Sequence, residues 1–141
     1  MKKQKATQYT VPLRNEPGTL FRLTQTLAKE DINITGIQLE TNGDIGLVRF
    51  LSEKESNAVR RPLENAGYQV FEQQVHLVEL VNQAGELSRL FKSLAEQELN
   101  ITSVYGTADG EKTAKVVIAV QQQETSPVFS LITESASTVT A

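Results

Sequence analysis

The strongest constraint on the fold is an internal repeat. Residues 13–37 read LRNEPGTLFRLTQTLAKEDINITGI, and residues 80–104 read LVNQAGELSRLFKSLAEQELNITSV. Adding 67 to a position in the first gives its partner in the second. Identities fall at Leu13/Leu80, Asn15/Asn82, Gly18/Gly85, Leu20/Leu87, Arg22/Arg89, Leu23/Leu90, Leu27/Leu94, Ala28/Ala95, Asn33/Asn100, Ile34/Ile101 and Thr35/Thr102. This spacing exceeds the roughly 20–50 residues of a solenoid unit and fits a small domain duplicated within one chain. At 141 residues there is room for one ordinary domain or two very small ones. Each half alone is near the size where a core is marginal, so the halves are expected to pack on each other. The expected domains are residues 1–74, with 1–6 as a tail, and residues 75–141.

The local signals repeat as well. Tyr9 to Leu13 reads as a strand. Asn15-Glu16-Pro17-Gly18-Thr19 breaks it, and Pro17 suits the first turn of a helix. Leu20, Leu23, Leu27 and Ala28 then recur at spacings of three and four, the stripe of an amphipathic helix. Ile34 to Thr41 alternates as a second strand, Asn42-Gly43 signals a hairpin, and Leu47 to Leu51 returns as a third strand. Ser56 to Ala66 reads as a second helix, in which Pro62 predicts a kink or a late start, and Gly67 is a natural stop. Tyr68 to Gln74 closes the first copy as a fourth strand.

The second copy follows with strand Val75 to Val81, a helix on Leu87, Leu90, Phe91, Leu94 and Ala95, and strand Ile101 to Tyr105. A turn at Asp109-Gly110, strand Ala114 to Val120, a helix from Ser126-Pro127 to Glu134 and a last strand Ser137 to Ala141 complete it. The predicted class is α+β: two tandem ferredoxin-like β-α-β-β-α-β units, antiparallel sheets with helices on one face. No Gly/Ser linker separates the copies.

Composition removes several classes of function. Fourteen Lys and Arg against seventeen Asp and Glu give a net charge of −3, with no footprint for a polyanion. The basic residues Lys2, Lys3 and Lys5 read as a solubilising tail. No apolar stretch approaches a membrane span, and no apolar segment behind the charged N-terminus suggests a secretory signal. The lack of cysteine excludes disulfides and thiolate metal sites and fits a reducing cytoplasm, the expected location. His76 is the single histidine, so no catalytic triad, no histidine-rich metal cluster and no catalytic residue is predicted. No phosphate loop or dinucleotide fingerprint is present, and no cofactor is expected. Apart from Tyr9 and Phe50 the central strands are aliphatic, against base stacking on the sheet, so no nucleic acid is expected.

The pattern resembles the ACT domain, in two tandem copies covering nearly the whole chain. Its carriers are Asn15-Glu16-Pro17-Gly18-Thr19-Leu20 and Asn33-Ile34, then Asn82-Gln83-Ala84-Gly85-Glu86-Leu87 and Asn100-Ile101. Gly46-Leu47-Val48-Arg49-Phe50 and Ala66-Gly67-Tyr68 also look like the family. The resemblance implies a non-enzymatic regulatory protein that binds an amino acid or similar small effector where such units meet. It also implies a homodimer and a regulated enzyme or transcription factor as partner. A second reading is a protein-interaction module without a small ligand.

A free amino acid offers a carboxylate and an ammonium close together. A helix N-terminus after Pro17 suits the carboxylate, and Gly18 allows close approach to the backbone. Asn15 and Asn33 supply amide donors and acceptors. They lie 18 residues apart, one helix length, so the turn and the next strand's start are expected to lie near each other. The candidate ligand residues are therefore Asn15, Glu16, Pro17, Gly18, Thr19, Leu20, Asn33 and Ile34, with Asn82, Gly85, Leu87, Asn100 and Ile101 in the second copy. Two departures weaken the second turn: Ala84 stands for Pro17, and Glu86 for Thr19, where it would repel a carboxylate. Taken as residue types alone, these Asn and Gly also fit a purely structural duty as turn and cap formers.

Overall fold

The computed structural model describes residues 2–121. They form two compact units. One is Thr7–Gln73; the other joins residues 2–6 to residues 74–121. The elements are β1 (Lys2–Arg14), α1 (Thr19–Lys29), β2 (Gly36–Asn42), β3 (Ile45–Leu51), α2 (Ser56–Asn65), β4 (Phe71–Val81), α3 (Glu86–Glu96), β5 (Ile101–Asp109) and β6 (Thr113–Val120). The α+β class and the two tandem units follow the sequence reading. The helix expected from Ser126 and the strand expected over Ser137 to Ala141 lie outside the described residues.

In the first unit β3 pairs antiparallel with β1 on one side and β2 on the other. The register sets Tyr9 opposite Phe50, Val11 opposite Val48 and Leu13 opposite Gly46. Alternation puts these on one face of the sheet, where they meet Leu23 and Leu27 of α1 and Val59 and Leu63 of α2 in a single core. The Tyr9 and Phe50 rings stack with centroids 5.3 Å apart. Burying each of the larger side chains stabilises the unit by about 1.5–3 kcal/mol before chain entropy is counted.

In the second unit β6 pairs antiparallel with β4 and β5. Val78, Leu80, Val116 and Ile118 meet Leu90 and Leu94 of α3 in its core.

Several boundaries differ from the sequence reading. β1 begins at Lys2, so the residues read as a tail are strand. β4 is one strand from Phe71 to Val81, where two consecutive strands were expected. α1 begins at Thr19, with Gly18 as its N-cap, so Pro17 precedes the helix. α2 starts at Ser56 and runs through Pro62, which sits in its last turn and lacks only the N–H that would have bonded one carbonyl. Gly67 ends that helix as expected. With φ 94 it is the left-handed residue of a Schellman motif, in which Tyr68 N–H donates to the Leu63 carbonyl at 3.0 Å and Gly67 N–H to Glu64 at 3.0 Å.

Candidate functional site

The turn after β1 is built by sequence rule. Glu16-Pro17-Gly18-Thr19 is a four-residue turn closed by Thr19 N–H donating to the Glu16 carbonyl at 3.4 Å. Gly18 adopts φ 88, ψ −10. A proline second and a left-handed glycine third are the demands of a type II turn. That accounts for both residues without a ligand. The Thr19 hydroxyl donates to the carbonyls of Arg14 and Glu16, at 2.9 and 3.1 Å, tying the turn to the end of β1. The intrahelical ladder opens with Arg22 N–H on the Gly18 carbonyl at 3.0 Å, so the N–H groups of Leu20 and Phe21 come before it.

Asn15 secures the turn to the β2–β3 hairpin. Its side-chain Nδ2 donates to the Gly43 carbonyl at 2.9 Å, and its backbone N–H to Asp44 at 2.9 Å. In the second repeat Asn82 Nδ2 donates to the Gly110 and Glu111 carbonyls, both at 3.4 Å, and its N–H to Lys112 at 2.9 Å. The repeated asparagine therefore has a repeated structural job. In Asn15 one N–H of the amide is committed, and its carbonyl oxygen can meet a ligand together with the second N–H.

Behind this turn lies a cavity of about 90 Å³. It is lined by Asn15, Glu16, Gly18, Thr19 and Leu20 from the turn, Leu13 and Arg14 from β1, Leu39 and Thr41 from β2, and Gly46 from β3. Gly46 makes the space. A Cβ added there would lie 3.4 Å from Leu39 Cδ1, 3.7 Å from Thr41 Cγ2 and 3.8 Å from the Leu13 carbonyl. Five of the predicted residues thus share one cavity. Leu39, Thr41 and Gly46 were not predicted as site residues. Strand register brings them there, with Gly46 paired to both Leu13 and Thr41. Knowing that register would have found them.

Asn33 and Ile34 do not join this cavity. Thr35 N–H donates to the Leu51 carbonyl at 2.9 Å, and Gly36 pairs with Leu51, whereas Asn42 pairs with Ile45 beside Arg14. Asn33 therefore lies at the opposite end of the sheet from Asn15, about 20 Å away at ~3.3 Å per strand residue. The one-helix spacing carries the chain down past the sheet, and a second traverse along β2 is needed to return. Ile34 packs against the first unit's core, and Asn33 is exposed. In the second repeat Asn100 Nδ2 donates to Gln121 Oε1 at 3.0 Å, and its carbonyl accepts from Gln121 N–H at 2.8 Å. Ile101 packs against that unit's core, while Leu87 is exposed.

A wider groove, about 520 Å³ and open to solvent, runs along α2 past Lys54, Asn57, Arg61 and Asn65. Lys54 Nζ reaches the Glu30 carbonyl at 3.4 Å, a cation complementing the end of α1. No predicted ligand residue lines this groove. Three or more metal-ligating side chains do not cluster anywhere among the described residues.

Residues 12–65 match the family model of the ACT domain. Among solved structures the chain is similar to protein BT0572 from Bacteroides thetaiotaomicron, at 26% identity and TM-score 0.78, covering 85% of this chain and 82% of that one. It is also similar to the regulatory subunit of aspartate kinase from Thermus thermophilus in its ligand-free form, at 18% identity and TM-score 0.65, covering 83% and 85%. The corresponding subunit from Thermus flavus matches at 16% identity and TM-score 0.61, again covering 83% and 85%. No curated protein matches the sequence.

Proposed function

We propose, from the ACT domain that the chain carries at residues 12–65, that the protein is a regulatory module without catalysis of its own that binds an amino acid or similar small effector. The observation that carries this reading is the cavity behind the first turn. Gly46 holds it open, and it lies beside a left-handed glycine and the N–H groups that begin α1. An effector carboxylate would meet those N–H groups, favoured by the helix dipole. The Asn15 carbonyl oxygen and Glu16 would take the ammonium. Regulation of an amino-acid pathway enzyme, as in the aspartate kinase subunits that share the fold, is the role we assign to it.

A ligand that binds the native state alone raises stability by mass action, about 2.7 kcal/mol at a hundred times its Kd. The test is a thermal-shift screen of the standard L-amino acids at millimolar concentration, on the native chain and on Gly46→Ala. One amino acid should raise the melting temperature of the native chain. Gly46→Ala should stay folded, because its Cβ meets only ordinary van der Waals distances, and should lose the response. A silent screen, or an undiminished response in Gly46→Ala, rejects this site.

A second reading, docking on a protein without a small ligand, has its own observation. Phe21, Ile37 and Leu39 are 65%, 45% and 46% exposed. The last two lie on β2, which pairs only with β3 among the described residues. An exposed strand edge with apolar side chains is a template for another chain. A homodimer through this edge is the simplest partner. Equilibrium ultracentrifugation of the native chain and of Ile37→Lys/Leu39→Glu would register its loss.

A further inference from the structure

The two repeats share the turn's backbone and differ in the side chains around it, and the differences act in one direction. We infer that the chain holds one carboxylate site and not two: Arg22 serves an effector's carboxylate at the first turn, while Glu86 is a resident carboxylate that takes up the equivalent arginine of the second. This rests on the effector-binding reading above.

Three contrasts carry it. The first is the arginine. A Cβ added at Gly18 would sit 3.1 Å from Arg22 Nη1, so that guanidinium bends back over the turn. No carboxylate pairs with Arg22 among the described residues. At Gly85 a Cβ would meet nothing within 4 Å. Arg89 instead pairs with Glu86, Nη1 to Oε1 at 3.2 Å. The second contrast is the helix entrance. Thr19 is 5% exposed and spends its hydroxyl on two carbonyls, adding no charge. Glu86 at the same position puts a carboxylate where an incoming one would have to sit. The third is the cavity floor. Leu13 pairs with Gly46 in the first unit, and Leu80 pairs with Ala114 in the second, so a methyl group stands where the first repeat has none. Each change alone would weaken a second site. Together they make the second turn a scaffold that keeps its own counter-ion.

The test uses the full chain labelled with nitrogen-15, following the Gly18 and Gly85 amide resonances while each standard L-amino acid is titrated in turn. Gly18 should shift with one of them and Gly85 should not, with a calorimetric stoichiometry of one per chain. Glu86→Thr with Ala114→Gly should make Gly85 respond and raise the stoichiometry to two. Glu86→Gln with Ala114→Gly, which keeps the side-chain shape, is the second opened variant. Arg22→Gln should weaken binding by about tenfold, and Arg22→Lys should recover part of that loss. The inference is overturned if Gly85 shifts along with Gly18 in the native chain, or if Gly85 stays still in both opened variants. If an amino acid raises the melting temperature while Gly18 stays still, the site assignment itself fails. If none binds at all, the effector reading falls, and this inference with it.

Discussion

The turn of the first repeat and the turn of the second are twins in backbone and strangers in chemistry. Gly18 sits at φ 88, ψ −10 and Gly85 at φ 92, ψ −13. The closing bonds measure 3.4 and 3.3 Å, and the first helical bonds, from Arg22 and Arg89, are both 3.0 Å. Even the helix ends agree. Asp31 and Glu98 take φ 56 and 57, each followed by a residue whose N–H reaches back to Leu27 or Leu94 at 3.0 Å. Such agreement needs only a few fixed residues: the glycine, the asparagine and the leucine stripe. Charge and volume are set by other positions, namely Thr19 against Glu86 and Gly46 against Ala114. A duplicated fold therefore does not imply a duplicated site.

Paired substitutions can break this comparison. Leu23 and Leu90 are both fully buried at the same helix position. Replacing either by alanine should cost about 2–5 kcal/mol in urea denaturation. Unequal losses would show that the two cores do not support their helices alike. Gly18→Ala and Gly85→Ala each force a side chain into the left-handed region, at about 1–2 kcal/mol. Gly18→Ala also asks the free end of the exposed Arg22 side chain to give by a few tenths of an ångström, so the two costs should be close by thermal denaturation. A wide gap between them would show that the two turns are not equivalent in backbone. Asn15→Ala should cost about 0.5–1.5 kcal/mol, and Asn82→Ala less, because its two shared 3.4 Å bonds are longer than the 2.9 Å bond of Asn15.

The smallest effect is a dependence on pH. Tyr9 and Tyr68, both in the first unit, ionise above the ordinary 10.0. Burial disfavours the phenolate in each, and the Glu72 carboxylate adds repulsion at Tyr9. On unfolding their pKa values fall back, so the unfolded chain gives up these protons first. Their contribution to stability is intact below pH 10.0 and is lost as pH rises through the raised values. Phenolate absorbance against pH, with Tyr9→Phe and Tyr68→Phe as controls, should show titration delayed until the first unit opens.

Much of the fold was legible because it is written in periodic signals. The leucine stripes gave α1 and α3, Gly67 gave the end of α2, and Asn42-Gly43 placed the hairpin to within one residue. What failed was long-range. Nothing in Lys2 to Ala6 marks them as strand, since their polar side chains carry no apolar alternation; the unit they belong to lies far along the chain. Pro62 was weighed by its propensity, which a last-turn position largely relieves. At the candidate site, Asn15, Gly18 and Thr19 line one cavity and also build the turn beside it, because a turn and a ligand ask for the same residues. Asn33 was misplaced because spacing in sequence was read as distance without tracking strand direction. In the sequence Gly46 stands out only as part of the family-like run Gly46-Leu47-Val48-Arg49-Phe50, and its part in the cavity appears only with the register of three strands.

The division of β1 between the units has a consequence for how the chain is made. Residues 2–6 leave the ribosome before all the other described residues, yet they belong with residues 74–121, which emerge last among those described. The opening strand must therefore wait, half placed, until most of the polypeptide has been translated. A lesion in residues 2–6 should be felt in the later-made unit rather than in the one that follows it directly along the chain.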